Sequence, residues 1–263
     1  MLFLRYYFQY WGYKEMEDQI AIKVTNLSKK YGENVVLENI NLEIKQSSIV
    51  CIAGGSGSGK STLLRQIIGL EEPDTGEIFI KNEKFYPAHY KKREIIRKSF
   101  GVMFQMGGLL ASMTLRENIE LLLRTYTSLT DPQIEEIVRI KLSSVGLEGF
   151  EDFIPSEISG GMKKRASLAR AMTIDPEILF FDEPSSGLDP TTAASLDNLI
   201  KQLNKALKTT MVIVTHDLES IFEIADEVYL LDNQSHTIIA QGKPDILKNS
   251  ENEIVYKFFN RKF

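Results

Sequence analysis

A chain of 263 residues with 43% apolar residues is long enough for one large α/β domain or a core with an inserted lobe, which excludes a disordered chain and a small disulfide-stapled scaffold. A net charge of −5 argues against nucleic acid as a partner, and a single cysteine allows no internal disulfide, which suits a reducing compartment. No apolar run approaches the ~20 residues that cross a bilayer, so any membrane link comes through a partner.

The first thirteen residues carry Phe3, Tyr6, Tyr7, Phe8, Tyr10, Trp11 and Tyr13, interrupted by Arg5 and Gly12 and without a small-residue cleavage site. We read residues 1–15 as an appended or mis-assigned start, with Met16 opening the native chain; a surface membrane anchor is the other reading. Period-two alternation at 20–24 and 40–44 then predicts half-buried strands of an antiparallel layer. Tyr31 lies between them in Lys30-Tyr31-Gly32.

A near-continuous apolar run from Ser48 to Ala53 predicts a buried strand, in which Cys51 is a small hydrophobe rather than a redox centre. It feeds Gly54-Gly55-Ser56-Gly57-Ser58-Gly59-Lys60-Ser61-Thr62, and 61–69 carries helical spacing through Leu63, Leu64, Ile67 and Ile68. This is the G-x-x-x-x-G-K-[ST] pattern in its proper place. Glycines let backbone N–H groups close on phosphates, Lys60 neutralises their charge, Ser61 can ligate Mg²⁺, and the helix N-terminus favours a polyanion.

The basic run Lys91, Lys92, Arg93, Arg97 and Lys98 reads as a solvated helical face, with a lipid-headgroup patch as the alternative. Apolar runs at 100–104, 178–181, 211–214 and 228–231 predict further central strands. The stretch 106–165 predicts an inserted helical lobe, in which Asp131-Pro132 caps and opens one helix and Gly146 ends it. Ala193, Leu196, Leu199, Ile200, Leu203 and Leu207 fall on one face and predict another helix, and alternation of such strands and helices predicts a parallel sheet covered on both sides.

Ser159-Gly160-Gly161 precedes a helix-like run at 163–171 and offers backbone N–H groups and a hydroxyl to an anion, although a plain turn before a helix reads the same way by itself. Asp182 and Glu183 end a buried strand, where open α/β sheets bind ligands.

The glycine loop, the Ser159-Gly160-Gly161-Met162 stretch and Phe181-Asp182-Glu183-Pro184, in that order, resemble the ATP-binding-cassette (ABC) ATPases over about 20–260. The resemblance implies an α/β P-loop ABC ATPase domain at 16–263, with an antiparallel β subdomain, the inserted helical subdomain and a C-terminal tail at about 241–263. It implies ATP and Mg²⁺ as ligands. Residue by residue, it implies that Tyr31 stacks on adenine, an exposed strand-end tyrosine being the plainer reading. Asp182 would hold Mg²⁺ through water, Glu183 act as general base, and Gln105 contact Mg²⁺ and the attacking water. His216 would touch the γ-phosphate, and Ser185-Ser186-Gly187-Leu188-Asp189 cross the dimer interface. The family also implies a homodimer in which Ser159, Gly160 and Gly161 of one copy meet the nucleotide of the other. Ile158 and Met162 depart from the common Leu and Gln of that signature, which bears on subfamily. His89 and His236 match nothing and stay unassigned.

Phe104-Gln105-Met106-Gly107-Gly108-Leu109-Leu110, Ser112-Met113-Thr114, Glu117-Asn118-Ile119, Met162 and the ending Tyr256-Lys257-Phe258-Phe259-Asn260 resemble the ATPases of Mla-type phospholipid-trafficking systems. That resemblance implies an integral-membrane permease, a lipid-binding MCE-domain partner and residence at the cytoplasmic face of an inner membrane. An amino-acid importer and a lipoprotein-release or division-type complex are the alternatives within transport. ABC ATPases acting on DNA or ribosomes usually carry tandem cassettes, coiled coils or zinc-binding cysteines, which this acidic one-cysteine chain lacks.

Overall fold

The computed structural model describes residues 19–262, so the aromatic segment read as a non-native start lies outside the described residues. The chain opens with a hairpin of β1 (Ile20–Tyr31) and β2 (Asn34–Lys45), joined through Gly32 in the left-handed region. It continues through β3 (Ile49–Gly54), α1 (Lys60–Ile67), β4 (Thr75–Ile80), β5 (Glu83–Tyr86), α2 (Tyr90–Arg97) and β6 (Phe100–Met103). Three helices follow, α3 (Leu115–Tyr126), α4 (Asp131–Ser144) and α5 (Gly160–Ala171). Then come β7 (Ile178–Asp182), α6 (Pro190–Leu207), β8 (Thr210–Val214), α7 (Leu218–Ile224), β9 (Glu227–Leu231), β10 (Ile238–Gly242), α8 (Pro244–Leu247) and α9 (Glu253–Phe259). Among the described residues no helix is long and apolar enough to cross a membrane.

Two sheets form. The antiparallel one runs β2-β1-β4-β5, and the other runs β10-β9-β3-β8-β7-β6, parallel except for β10 at its edge. The central strands read as unbroken apolar runs because each face meets a different core. Ile49, Cys51, Leu179, Phe181, Met211, Ile213, Val228 and Leu230 face one cluster, shared with α3, α4, α5 and α6 through Ile119, Val138, Leu168 and Ile200. Val50, Ile52, Phe180, Val212, Val214 and Tyr229 face the other, shared with α1 and the antiparallel sheet. Burial pushes the Cys51 thiol far above its ordinary range, as a packing residue requires.

Some boundaries differ from the sequence reading. Strand β1 runs on to Tyr31, beyond the alternating stretch, because Asn26 adopts a left-handed φ of 50° where the register with β2 and β4 shifts. Thr130, rather than Asp131, occupies the cap of α4: its N–H donates to Gln133 Oε1 at 2.9 Å, and Asp131 and Pro132 are already helical. The predicted ending holds, with Gly146 at φ 71°.

Register fixes the site. Asp182 pairs with Val214, Ile52 with Val214, Gly54 with Leu231, and Met103 with Phe181. The carboxyl ends of β3, β6, β7, β8 and β9 therefore stop at one level, and the loops leaving them open onto one edge.

Candidate functional site

That edge holds a cleft of about 1,030 Å³ lined by Gly54, Gly55, Ser56, Gly57, Lys60 and Ser61, by Gln105 and Glu183, and by His216. A smaller cavity of about 380 Å³ lies at the opposite, amino end of the sheet, against Met172, Pro176, Ile178, Leu207 and Thr210, and contains none of these residues.

The loop between β3 and α1 depends on glycine at two points. Gly54, at φ 154°, leaves no room for a Cβ, which would lie 2.5 Å from both Leu231 O and Ser58 Oγ. Gly59, at φ 91°, would bring one to 2.9 Å from Val36 O. The result is a tight cradle with α1 starting at its rim. Lys60 is buried, and its Nζ donates to the carbonyls of Gly54 and Gly55, both at 2.9 Å. Those carbonyls use two of the three donors of an ammonium group. Burial lowers the Lys60 pKa, against the pull of Glu183 and Asp182. Ser58 Oγ, inside the same cradle, is buried without a hydrogen-bond partner.

Asp182 ends β7 with Oδ1 3.4 Å from Ser61 Oγ, and its pKa is raised, first by burial and then by the charge of Glu183. Glu183 takes a left-handed φ of 47°, uncommon for a residue with a Cβ, and its N–H donates to Val214 O at 2.8 Å. That turn aims its carboxylate at the next strand's loop: Oε1 lies 2.8 Å from His216 Nδ1 and Oε2 accepts from Thr215 Oγ1 at 3.5 Å. The Gln105 amide lies 3.5 Å from Ser186 Oγ.

Ser61, Asp182 and Gln105 offer a hydroxyl, a carboxylate and an amide, the oxygen chemistry Mg²⁺ takes. Among the described residues no group of three or more His, Cys, Asp or Glu gathers to hold a metal alone. This donor set fits an ion that arrives with the phosphates.

The Ser159 stretch is elsewhere. Ser159 caps α5, its Oγ accepting from Met162 N–H at 3.3 Å, and it is exposed together with Gly160. Gly161 packs where a Cβ would lie 2.6 Å from Thr192 Cγ2 of α6. None of the three lines the chain's own cleft. Tyr31 stands outside the lining too, 48% exposed at the end of β1, with its hydroxyl on Glu71 and Thr62 and Lys29 Nζ 5.4 Å from its ring centre. Thr62 lies behind the loop in the first turn of α1.

The cleft has a wall that motif reading missed. Lys257, Phe258, Arg261 and Lys262, in the last turn of α9 and just beyond it, also line it. Phe259 anchors them on α7 through Phe222, ring centres 6.0 Å apart, and Arg261 pairs with Glu219 at 3.2 Å. The i,i+4 spacing of Lys257 and Arg261 was the available signal.

A parallel sheet with a glycine cradle on β3, twin carboxylates on β7 and a histidine after β8 defines a P-loop ABC ATPase domain. The chain belongs to the ABC transporter family, whose profile its residues 37–186 match. It is 39% identical over 241 residues to the intermembrane phospholipid transport system ATP-binding protein MlaF of Haemophilus influenzae, covering 92% of this chain and 90% of that protein. The probable ribonucleotide transport ATP-binding protein mkl of Mycobacterium leprae is also 39% identical, over 92% of this chain but 69% of that protein. Among solved structures, cbiO1 of Clostridium perfringens, part of the ABC transporter complex cbiONQ, superposes with a TM-score of 0.81 at 28% identity, covering 93% of this chain and 96% of that one. The ATP-binding cassette MJ0796, a dimer in a post-hydrolysis state bound to ADP and Pi, superposes with a TM-score of 0.76 at 32% identity, over 84% and 98%.

Proposed function

We propose that this chain is the ATP-hydrolysing subunit of a membrane transporter that moves phospholipid between inner and outer membranes. The observation that carries the ATPase part is the split site: the phosphate cradle, Glu183 and His216 share one cleft while the Ser159 turn points out of it. Two copies facing each other would supply each cleft with the other's Ser159, Gly160 and Gly161, as a homodimer. The dimeric relative bound to ADP and Pi supports a homodimer that binds nucleotide.

In this reading Lys60 exchanges its two carbonyl partners for β- and γ-phosphate oxygens, and Tyr31 stacks on adenine. Ser61, Gln105 and, through water, Asp182 would hold Mg²⁺, which when bound neutralises charge on the phosphates. Glu183 accepts the proton of the attacking water. His216, held through Nδ1, presents Nε2 to the γ-phosphate, and Gln105 orients the water. Closure around ATP and reopening after phosphate release move whatever docks on the helical lobe at about 106–165. The domain runs from 16 to 263, with a C-terminal tail from about 241 whose Lys257, Phe258, Arg261 and Lys262 line the cleft.

The cargo rests on the resemblance of the Gln105 to Ile119 stretch, Met162 and the tail, and on the MlaF relative matched along nine-tenths of its length. It implies a permease, an MCE-domain lipid-binding partner and a place at the cytoplasmic face of the inner membrane. The test is to express the chain with the permease encoded beside it, purify the complex and analyse its contents by mass spectrometry. Phospholipid and an MCE partner are expected, together with an ATPase rate that changes on docking, since docking biases the same open–closed equilibrium as ATP. A complex without them that responds to an amino acid, a lipoprotein or a ribonucleotide would overturn the phospholipid assignment.

A further inference from the structure

From Phe104 to Thr114 the chain forms neither helix nor strand, so a few bonds set where Gln105 stands. Three residues of α5 lie against this loop at helical spacing. Lys164 Nζ donates to the Gln105 carbonyl at 2.8 Å. Gly107 sits so close to Ser167 that a Cβ would lie 2.5 Å from its Oγ, and a Cβ on Gly108 would lie 3.9 Å from Arg170 Nη1. Positions 164, 167 and 170 share one helix face. Lys164 is the charged residue most deeply placed there, 9% exposed.

A buried ammonium is costly, and a residue that only filled this space would be apolar. Here the charge is aimed at a backbone carbonyl, so it fixes the loop whatever the Gln105 amide is doing. The same helix starts at the Ser159 turn, and Lys164 stands about one turn beyond Gly160. At that same residue the loop meets the segment after the twin carboxylates, through the Gln105 amide and Ser186.

We propose that Lys164 is a positioning residue that locks the Gln105 loop to the helix bearing the Ser159 turn, so that capture of the partner's nucleotide by that turn is felt at the chain's own site. The transmission rests on the composite dimer proposed above; the lock itself does not. Nothing in the lock requires Lys164 to touch nucleotide or water.

Hydrogen exchange read by mass spectrometry tests both. In the nucleotide-free chain, Lys164→Met keeps the apolar stem and removes the donor, and amides of 105–110 should exchange roughly 10–100-fold faster, as expected for loss of a hydrogen bond from a charged group. Lys164→Arg, which keeps a donor, should fall close to the unmodified chain. With ATP in a Glu183→Gln background, protection should reach both 54–62 and 105–110, and Lys164→Met should confine it to 54–62. Should the methionine variant not fold, Lys164→Leu, which also lacks a donor, carries the same comparison. Equal exchange of 105–110 in the methionine and arginine variants, both with native-like Tm, would overturn the lock. A Glu183→Gln chain that stays monomeric with ATP would instead count against the composite dimer, and the nucleotide-free comparison would still decide the lock.

Discussion

Lys60→Ala should give a folded chain that no longer holds ATP productively. The Lys60 ammonium lies inside the glycine cradle, bonded to Gly54 O and Gly55 O, the place a phosphate oxygen would occupy. Two charge-assisted hydrogen bonds at about 1.5 kcal/mol each amount to roughly a 100-fold loss of affinity, and turnover should disappear with the transition-state charge left uncompensated. Burial of the alanine leaves two carbonyls short of a donor, so Tm should fall modestly. Lys60→Met, which fills the space but likewise lacks a donor and a charge, separates the cavity left by alanine from the loss of the ammonium's bonds. Titration with a fluorescent ATP analogue checks it, and undiminished affinity would remove the phosphate role from this loop.

Glu183→Gln should act in the opposite order, keeping ATP and losing turnover. The amide retains the shape of the carboxylate and a bond to His216, but it cannot accept a proton from water. A fall in kcat of about 10²–10⁴-fold is the range for a lost general base, with ATP affinity preserved. Because the variant is expected to be trapped as a dimer before hydrolysis, its mass by light scattering should rise from that of one chain to that of two when ATP is added. A variant that hydrolyses normally would move the base elsewhere, and Asp182, already 3.4 Å from Ser61 Oγ, would be the next residue to test.

The glycine loop and the central strands were more legible than the strands at the edge, for a physical reason. The residues of a tight glycine loop must follow one another closely, so Gly54 to Thr62 show their pattern in local order, and the apolar runs at 178–181 and 211–214 announce strands buried on both faces. Strands β4 and β5 announce little. They are six and four residues long, and what makes them strands is pairing with β1 and with each other, a partnership that sequence periodicity does not encode. The tail shows the same limit. Phe258 and Phe259 read as apolar residues near an end, but only the packing of Phe259 on Phe222 brings Lys257 and Arg261 to the cleft. Lys164 reads as one basic residue in Lys163-Lys164-Arg165, and only the fold turns it inward onto Gln105 O. The cap of α4 moved by one residue because Thr130 and Gln133 bond each other, a local choice that Asp131-Pro132 concealed.

In the proposed dimer each nucleotide is held by the cradle of one copy and the Ser159 turn of the other. Two inactive chains test it directly when combined as a heterodimer purified through separate tags. A Ser159→Arg chain keeps its own cradle but blocks its partner's, and a Lys60→Ala chain keeps its Ser159 turn but cannot hold phosphate. Ser159 also caps α5, so the arginine chain should lose about 1 kcal/mol of stability, which a Tm measurement registers beforehand. In the mixed dimer the arginine chain's cradle faces the alanine chain's intact turn, leaving a single composite site whose parts are both unmutated. Trapping of a labelled nucleotide should therefore reappear in the mixed dimer, at one site per dimer, while both mutant homodimers trap none. Trapping in the mixed dimer no better than in the homodimers would contradict the shared site.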